Sequence, residues 1–230
     1  MTAGASSVPG AAEVVEAAQV LARLGLVSAF GHVSVRAENE LMITPTADLA
    51  TVTPTQLVTV QIVPGVDGAA LPANVPGEAH LHCAIYRARP DVTAVVRAQP
   101  ESALGAGATA TELPLLHGQA AWLGHRIPVH QSPRLIRDAR LGDAAARSLG
   151  DNDALVLRGN GAVTTGTSPG EAVTRMWLLE TACRIHLATR GADPMVLDDD
   201  DIAAWRDAAP PLLRRLWHHL RTDTSSRRTT

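Results

Sequence analysis

The run from 75 to 99, VPGEAHLHCAIYRARPDVTAVVRAQ, constrains the fold more than any other part of the chain. Its first half combines good helix formers with apolar residues three and four positions apart, which predicts a helix over 79–89. Pro90 and Asp91 end that helix, because proline cannot continue the backbone hydrogen-bonding pattern. The uncharged, β-branched run 92–96 then predicts a short strand that is covered on both faces.

Three polar residues mark the ends of this helix–strand unit. Glu78 stands at the helix start, where the backbone N–H groups and the helix dipole favour a carboxylate. Arg97 and Gln99 follow the strand two positions apart, so we expect their side chains on one face. Glu78 is either a carboxylate that only compensates the helix dipole or an acid/base group. In the second case, a position beside a buried strand end is expected to raise its pKa toward working pH.

Length and composition bound the class of protein. With 230 residues and 46% hydrophobic content, the chain is long enough for one sizeable core, and we expect a single domain over 10–220. Residues 1–9 are predicted to be a disordered N-terminus, and 221–230 a flexible tail. A net charge of −3 gives no overall positive field for nucleic acid, and no apolar run is long enough to span a bilayer, so neither partner is expected.

Cysteine and lysine usage limits the chemistry. Cys83 and Cys183 lie within helical patterns and are predicted to be buried thiols, which fits a cytoplasmic protein without a secretory signal. The chain contains no lysine, so catalysis through a lysine Schiff base is excluded.

The remaining patterns alternate between helix and strand periodicity. Ser168, Pro169 and Glu171 form a strong helix start. Pro210 and Pro211 are expected to interrupt the C-terminal helical region. Helices are predicted at 10–24, 100–107, 136–149, 168–190, 202–208 and 212–220, and strands at 32–36, 40–44, 57–63, 127–130, 153–157 and 162–166.

Five segments together resemble the class II aldolase/adducin superfamily. The "IYRARPDV" turn at 85–92 is similar to the family's turn, and 113–124 resembles its "PxxHxAAFLG" segment. FGHVSVR at 30–36 resembles the "GNxSxR" signature, TPT at 44–46 the "ITPSG" turn, and RGNG at 158–161 an "RGHG"-like turn. The resemblance implies a three-layer α/β/α sandwich with a central, mostly antiparallel sheet. It also implies a homotetramer with its pocket at the subunit boundaries.

This sequence differs from that family at the metal-binding positions. In the family, a His-x-His pair after the strand and a third histidine in the turn hold a divalent metal. Here Arg97, Gln99 and Asn160 stand at those positions. The resemblance therefore implies a site without a metal and without another cofactor. A guanidinium at this place supplies a fixed positive charge for a substrate carboxylate or a developing enolate oxygen, or it forms a structural pair with Glu78.

Histidines supply the other candidates. His80 and His82 are two positions apart on a predicted helix, so they do not share a face and are not expected to bind one metal. His82 and His117 match positions where the family often has histidine. Each is either an acid/base partner for Glu78 or a hydrogen-bonded pocket residue. His32 lies in the signature that contacts the substrate's anionic group in the family.

The leading hypothesis is a metal-independent lyase or isomerase acting on a small oxygenated carboxylic acid through an enolate-like state. Decarboxylation, dehydration and retro-aldol cleavage all remain open. One alternative is a non-catalytic, adducin-like binding or assembly module with a decayed site. Another is a metal held by unusual ligands such as Glu78, His82 or His117. The predicted catalytic residues are Glu78, Arg97 and His117, and the predicted substrate-binding residues are His32, Ser34, Thr44, His82, Gln99 and Asn160.

Overall fold

A computed structural model describes residues 10–62 and 71–223, so the predictions for 1–9, for most of the tail and for the end of the third strand lie outside the described residues. The α-helices are α1 (Ala11–Arg23), α2 (Ala79–Ala88), α3 (Glu101–Gly107), α4 (Ala139–Leu149), α5 (Pro169–Ala188), α6 (Asp199–Asp207) and α7 (Ala209–Thr222). The strands are β1 (His32–Ala37), β2 (Glu40–Ile43), β3 (Val58–Gln61), β4 (Ala94–Ala98), β5 (Glu112–Leu113), β6 (Ile127–His130), β7 (Ala154–Leu157) and β8 (Ala162–Gly166). Two short 3-10 helices lie at Pro54–Gln56 and Gly118–Leu123.

The eight strands form one sheet in the order β3-β2-β1-β4-β8-β7-β6-β5. Neighbouring strands in the described part of the chain run antiparallel, except for the parallel pair β6 and β7. β4 lies between β1 and β8, with Arg97 opposite His32 on one side and Val163 on the other. This register brings the start of β1, the end of β4 and the turn before β8 to the same end of the sheet.

Helices cover both faces of the sheet. Along β4, Val96 belongs to the core that contains α1, α3, α5 and α7, whereas Val95 belongs to the core that contains α2 and α4. Side chains alternate between these two cores because successive strand residues point to opposite faces. The predicted three-layer α/β/α sandwich with a mostly antiparallel sheet is confirmed.

Several element boundaries differ from prediction. β4 begins at Ala94 and includes Arg97, which is therefore held by strand pairing on both sides. α4 begins only at Ala139, because the Asp138 carboxylate caps it by accepting a hydrogen bond from the backbone of Leu141. The C-terminal helical region is interrupted at Ala208, between α6 and α7, slightly before the prolines. Pro210 and Pro211 themselves lie in the first turn of α7, where an absent N–H has no intrahelical partner to lose.

Cys83 and Cys183 are unpaired and buried, as predicted. No helix in 10–62 or 71–223 has the length and hydropathy that a membrane crossing requires.

Gly161 fixes the turn between β7 and β8 against β4. Its φ is +81°, and a Cβ built there would lie 2.1 Å from the carbonyl oxygen of Ala98. We expect Gly161→Ala to lower the free energy of unfolding by about 3 kcal/mol, because both the backbone and the contact become strained. Urea titration measures this loss. Gly25→Ala is the matched control.

Gly25 also has a positive φ, +70°, but nothing lies within 4 Å of the position of its Cβ. The control should therefore lose only about 1 kcal/mol, the cost of a left-handed residue alone. Equal losses in the two variants would contradict the close approach of the turn to β4.

Candidate active site

A row of polar side chains on α2 faces a row on β1. Glu78, His82 and Tyr86 are spaced four residues apart, so they lie on one side of the helix, at intervals of about 6 Å. His32 and Ser34 are alternate residues of β1, with an interval of about 6.6 Å. The two intervals match closely enough for the rows to interleave.

The interleaved residues form a continuous hydrogen-bonded chain. His32 Nε2 lies 3.3 Å from Glu78 Oε2, and His32 Nδ1 lies 3.1 Å from His82 Nε2. His82 Nδ1 lies 2.7 Å from Ser34 Oγ, which is in turn 2.8 Å from the Tyr86 hydroxyl. His32, His82, Ser34 and Tyr86 are buried, and only Glu78 retains appreciable exposure. We call Glu78, His32, His82, Ser34 and Tyr86 the α2–β1 chain.

The second oxygen of Glu78 faces the residues that stand where the family has metal ligands. Arg97 Nη2 lies 3.3 Å from Glu78 Oε1, and the Asn160 side-chain amide donates to the same oxygen at 3.1 Å. Glu78 is the N-cap residue of α2, yet its carboxylate makes no capping hydrogen bond. The carboxylate is therefore directed to the cluster rather than to the backbone of its own helix.

Arg97 is among the most deeply buried side chains, with 1% exposure. Its Nη1 donates to the carbonyl of Phe30 at 3.4 Å, and its Nη2 donates to the backbone carbonyl of Asn160 at 3.1 Å and to the Asn160 side-chain oxygen. Gln99 also donates to that side-chain oxygen, at 3.3 Å. Arg97 Nε is buried and has no hydrogen-bond partner among the described residues. Arg97, Gln99, Asn160 and Glu78 thus form one cluster, as the sequence predicted.

The expectation that the pKa of Glu78 is raised is wrong. Burial does raise it, but the hydrogen bond from His32, the charge of Arg97 and the Asn160 amide outweigh burial and lower the pKa to about 2. In the resting protein Glu78 is therefore an anion at all physiological pH values. A cationic neighbour was foreseen from the sequence, but its effect on this carboxylate was not.

His32 and His82, the two histidines of the α2–β1 chain, are neutral near pH 7. Burial lowers the pKa of His32; the hydrogen bond to Glu78 opposes this, the charge of Arg97 adds to it, and the net direction is downward. Burial is also the main cause that lowers the pKa of His82, well below its ordinary value. His82 and Ser34 have 0% exposure, so neither side chain has a surface open to solvent in this structure, and the substrate-binding role expected of them stays a prediction.

Two other predicted residues stand apart from the cluster. Thr44 is buried, and its hydroxyl accepts a hydrogen bond from the backbone of Val33. His117 precedes the 3-10 helix after β5, three strands beyond β8, and no described contact links it to Glu78. The predicted acid/base partnership of His117 and Glu78 therefore has no support within one chain.

Arg97, Gln99 and Asn160 do not fit the divalent metal that the fold family implies at their positions. The guanidinium of Arg97 is permanently cationic and already pairs with Glu78, so a second cation beside it would be repelled. The remaining donors are amides, which are weak ligands, and the Asn160 side-chain oxygen already accepts from Arg97 and Gln99. Within the described ranges, no three His, Cys, Asp or Glu residues are arranged to hold a metal, which also argues against the alternative of Glu78, His82 and His117 as ligands.

Tyr86 was missed. It was not among the predicted site residues, and its ring lies in the core, with the guanidinium of Arg36 over it. The signal was nevertheless present in the sequence, because polar residues at 78, 82 and 86 recur every four positions on an otherwise apolar helix face.

The comparisons with known proteins agree with this fold. A model of the class II aldolase and adducin N-terminal domain matches residues 12–187, and the chain belongs to that family. A 3,4-dihydroxyphthalate decarboxylase of Rhodococcus jostii (strain RHA1) is 29% identical over 208 residues, which cover 84% of this chain and 85% of the relative. One from Terrabacter sp. (strain DBF63) is 28% identical over 228 residues, covering 90% and 93%.

Among solved structures, an L-fuculose-1-phosphate aldolase from Thermus thermophilus is 27% identical, with a TM-score of 0.68 over 80% of this chain and 97% of that chain. YgbL of Escherichia coli, described as a putative aldolase/epimerase/decarboxylase, has a TM-score of 0.73 at 22% identity, covering 85% of this chain and 97% of that chain. These likenesses extend over nearly the whole fold.

Proposed function

We propose that this protein is a carbon–carbon lyase that decarboxylates a small hydroxylated aromatic carboxylic acid without a metal ion. The observation that carries the proposal is the Glu78 carboxylate, the partly exposed end of a buried hydrogen-bonded chain, fixed by Arg97 and Asn160. The substrate class follows the relatives named as 3,4-dihydroxyphthalate decarboxylases. Of the reactions left open by the sequence, decarboxylation is the one that these relatives favour.

Glu78 is the group that moves the proton. A ring hydroxyl positioned ortho or para to the carboxylate gives up its proton to Glu78, and Glu78 delivers that proton to the ring carbon that carries the carboxylate. The carbon–carbon bond then breaks, carbon dioxide leaves, and the bonding pair flows through the ring to the oxygen. The resulting phenolate takes one proton from solvent, so the overall change is a carboxylate and a proton becoming carbon dioxide and a C–H bond.

The low pKa of Glu78 suits this task only when substrate is bound. A substrate carboxylate placed near Glu78 is a like charge, which raises the pKa of Glu78 from about 2 toward working pH. Glu78 becomes an anion again when it delivers its proton to the ring carbon, and the neighbouring charge of Arg97 stabilises that anion. Arg97 thus acts by setting the charge of Glu78, since its own side chain is sealed from solvent.

A non-catalytic module is the second candidate, and the permanent pairing of Arg97 with Glu78 favours it. The α2–β1 chain argues the other way. Its four buried polar groups lower stability unless every one of them is satisfied, and apolar residues would fill the same volume without that constraint. A site that had lost its chemistry would have no reason to retain them.

The test is turnover of 3,4-dihydroxyphthalate by the purified protein, with carbon dioxide release and product followed together. We expect one carbon dioxide per product, one deuterium on the ring when the reaction runs in deuterated water, and no turnover of phthalate, which lacks the hydroxyls. No release of carbon dioxide from dihydroxyphthalate or from other hydroxylated aromatic acids would favour the non-catalytic module. Turnover of phthalate would contradict the proton path through the hydroxyl.

A further inference from the structure

We infer that His82, Ser34 and Tyr86 are positioning residues that hold His32 in one tautomer, with its Nε2 proton directed at the reacting oxygen of Glu78. This proton arrangement is a property of the resting protein. Its link to turnover rests on the proposed function, but the orientation of the protons does not.

The order of the protons follows from the charged end of the chain. An ionised Glu78 only accepts hydrogen bonds, so His32 must place a proton on Nε2. A neutral His32 then has a bare Nδ1, which accepts from Nε2–H of His82. His82 in turn has a bare Nδ1, which accepts from the hydroxyl of Ser34.

Tyr86 completes the series. Because the single proton of Ser34 is used toward His82, the 2.8 Å contact with Tyr86 requires the tyrosine hydroxyl to be the donor. Every hydrogen bond in the α2–β1 chain therefore points from Tyr86 toward Glu78. The reverse direction would give His32 a bare Nε2 facing a carboxylate unless the ring took up an extra proton, which its burial opposes.

The α2–β1 chain also identifies which oxygen of Glu78 reacts. Glu78 Oε1 accepts from Asn160 and faces Arg97, so both of its lone pairs are engaged. Oε2 has His32 as its one described partner, which leaves a lone pair for a substrate proton. The atom that accepts and delivers the proton is thus the atom that the chain orients.

Burial makes this arrangement a fixed one. His82 and Ser34 have 0% exposure, Tyr86 1% and His32 4%, so water does not replace a lost partner. A missing link leaves a bare imidazole nitrogen in the interior and frees the ring to tilt. A small tilt of His32 displaces the Glu78 carboxylate, and catalysis by proton transfer is sensitive to such displacements.

Nitrogen-15 spectra of the histidine rings test the inference without a substrate. At pH 7 we expect the rings of His32 and His82 to be neutral, each with its proton on Nε2 and a hydrogen-bonded Nδ1. Ser34→Ala should move the Nδ1 signal of His82 more than any other ring signal, to the position of a free imine nitrogen. A cationic His32, a proton on Nδ1 of either ring, or a His82 Nδ1 signal unmoved in Ser34→Ala would overturn the inference. The wild-type spectrum alone decides the first two, even where a variant does not fold.

Kinetics then test the positioning role. Ser34→Ala and Tyr86→Phe should each lower kcat about tenfold with KM changed less than about twofold, and Ser34→Thr, which keeps the hydroxyl, should recover most of the loss. Unchanged kcat in both variants would overturn that role. The two proposals can fail separately. An inactive protein with the expected tautomers would contradict the proposed function and leave the α2–β1 chain in place. An active protein with other tautomers would contradict the proton order and leave the proposed function in place.

Discussion

Replacing Arg97 with methionine is expected to lower the free energy of unfolding by about 3 kcal/mol at pH 7, because it leaves the Glu78 carboxylate charged and poorly solvated. Methionine fills much of the same volume, so the effect of a cavity is kept small. The hydrogen bonds to Phe30 and Asn160 are lost at the same time. Urea titration followed by circular dichroism measures the loss.

The double variant Arg97→Met, Glu78→Gln is the matched control. Since it removes both charges, it should recover a substantial part of the stability lost in Arg97→Met. If Arg97→Met is as stable as the wild type, the Arg97–Glu78 pair is not coupled. The same conclusion follows if the double variant loses more stability than the two single variants lose in sum.

Replacing Glu78 with glutamine is expected to lower the turnover of 3,4-dihydroxyphthalate about 1000-fold, because an amide does not take up and deliver the proton that the carboxylate moves. The isosteric side chain keeps the shape of the site, so the variant should remain folded. The measurement is kcat/KM from carbon dioxide release, with circular dichroism as a check on folding.

Asp143→Asn provides a control with the same chemical change at a distant site. Asp143 is a partly exposed carboxylate on α4 that pairs with Arg87 at 2.6 Å. Its variant should retain full turnover, since a pair at the surface contributes little. Turnover in Glu78→Gln within a few-fold of wild type would remove Glu78 from the reaction.

Much of the fold is predictable from local patterns. The helix–turn–strand unit at 75–99, the cap at Ser168 and the hairpin of β7 and β8 all follow from periodicity and capping chemistry that act within a few residues. The cluster of Arg97, Gln99, Asn160 and Glu78 was also within reach. The resemblance aligned three positions that the sheet does bring together.

The electrostatic state of the site was beyond the sequence. The pKa of Glu78 depends on competing effects of burial, Arg97 and His32 at distances near 3 Å, and a sequence gives the residues without those distances. His117 was placed in the site by motif alone, whereas the sheet order separates it from Glu78. The four-residue spacing that includes Tyr86 was visible in the sequence, but its partner was not, because the contact with Ser34 depends on the register between α2 and β1.

The proposed function requires that Arg97, and not a metal ion, sets the charge of the Glu78 carboxylate. Its most direct test is turnover of 3,4-dihydroxyphthalate by protein that has been treated with a strong chelator and checked by elemental analysis, with zinc, manganese or magnesium then added back. We predict that the stripped protein retains full activity and that added metal does not raise it. Activity that disappears on stripping and returns in proportion to one bound metal ion would contradict catalysis without a metal.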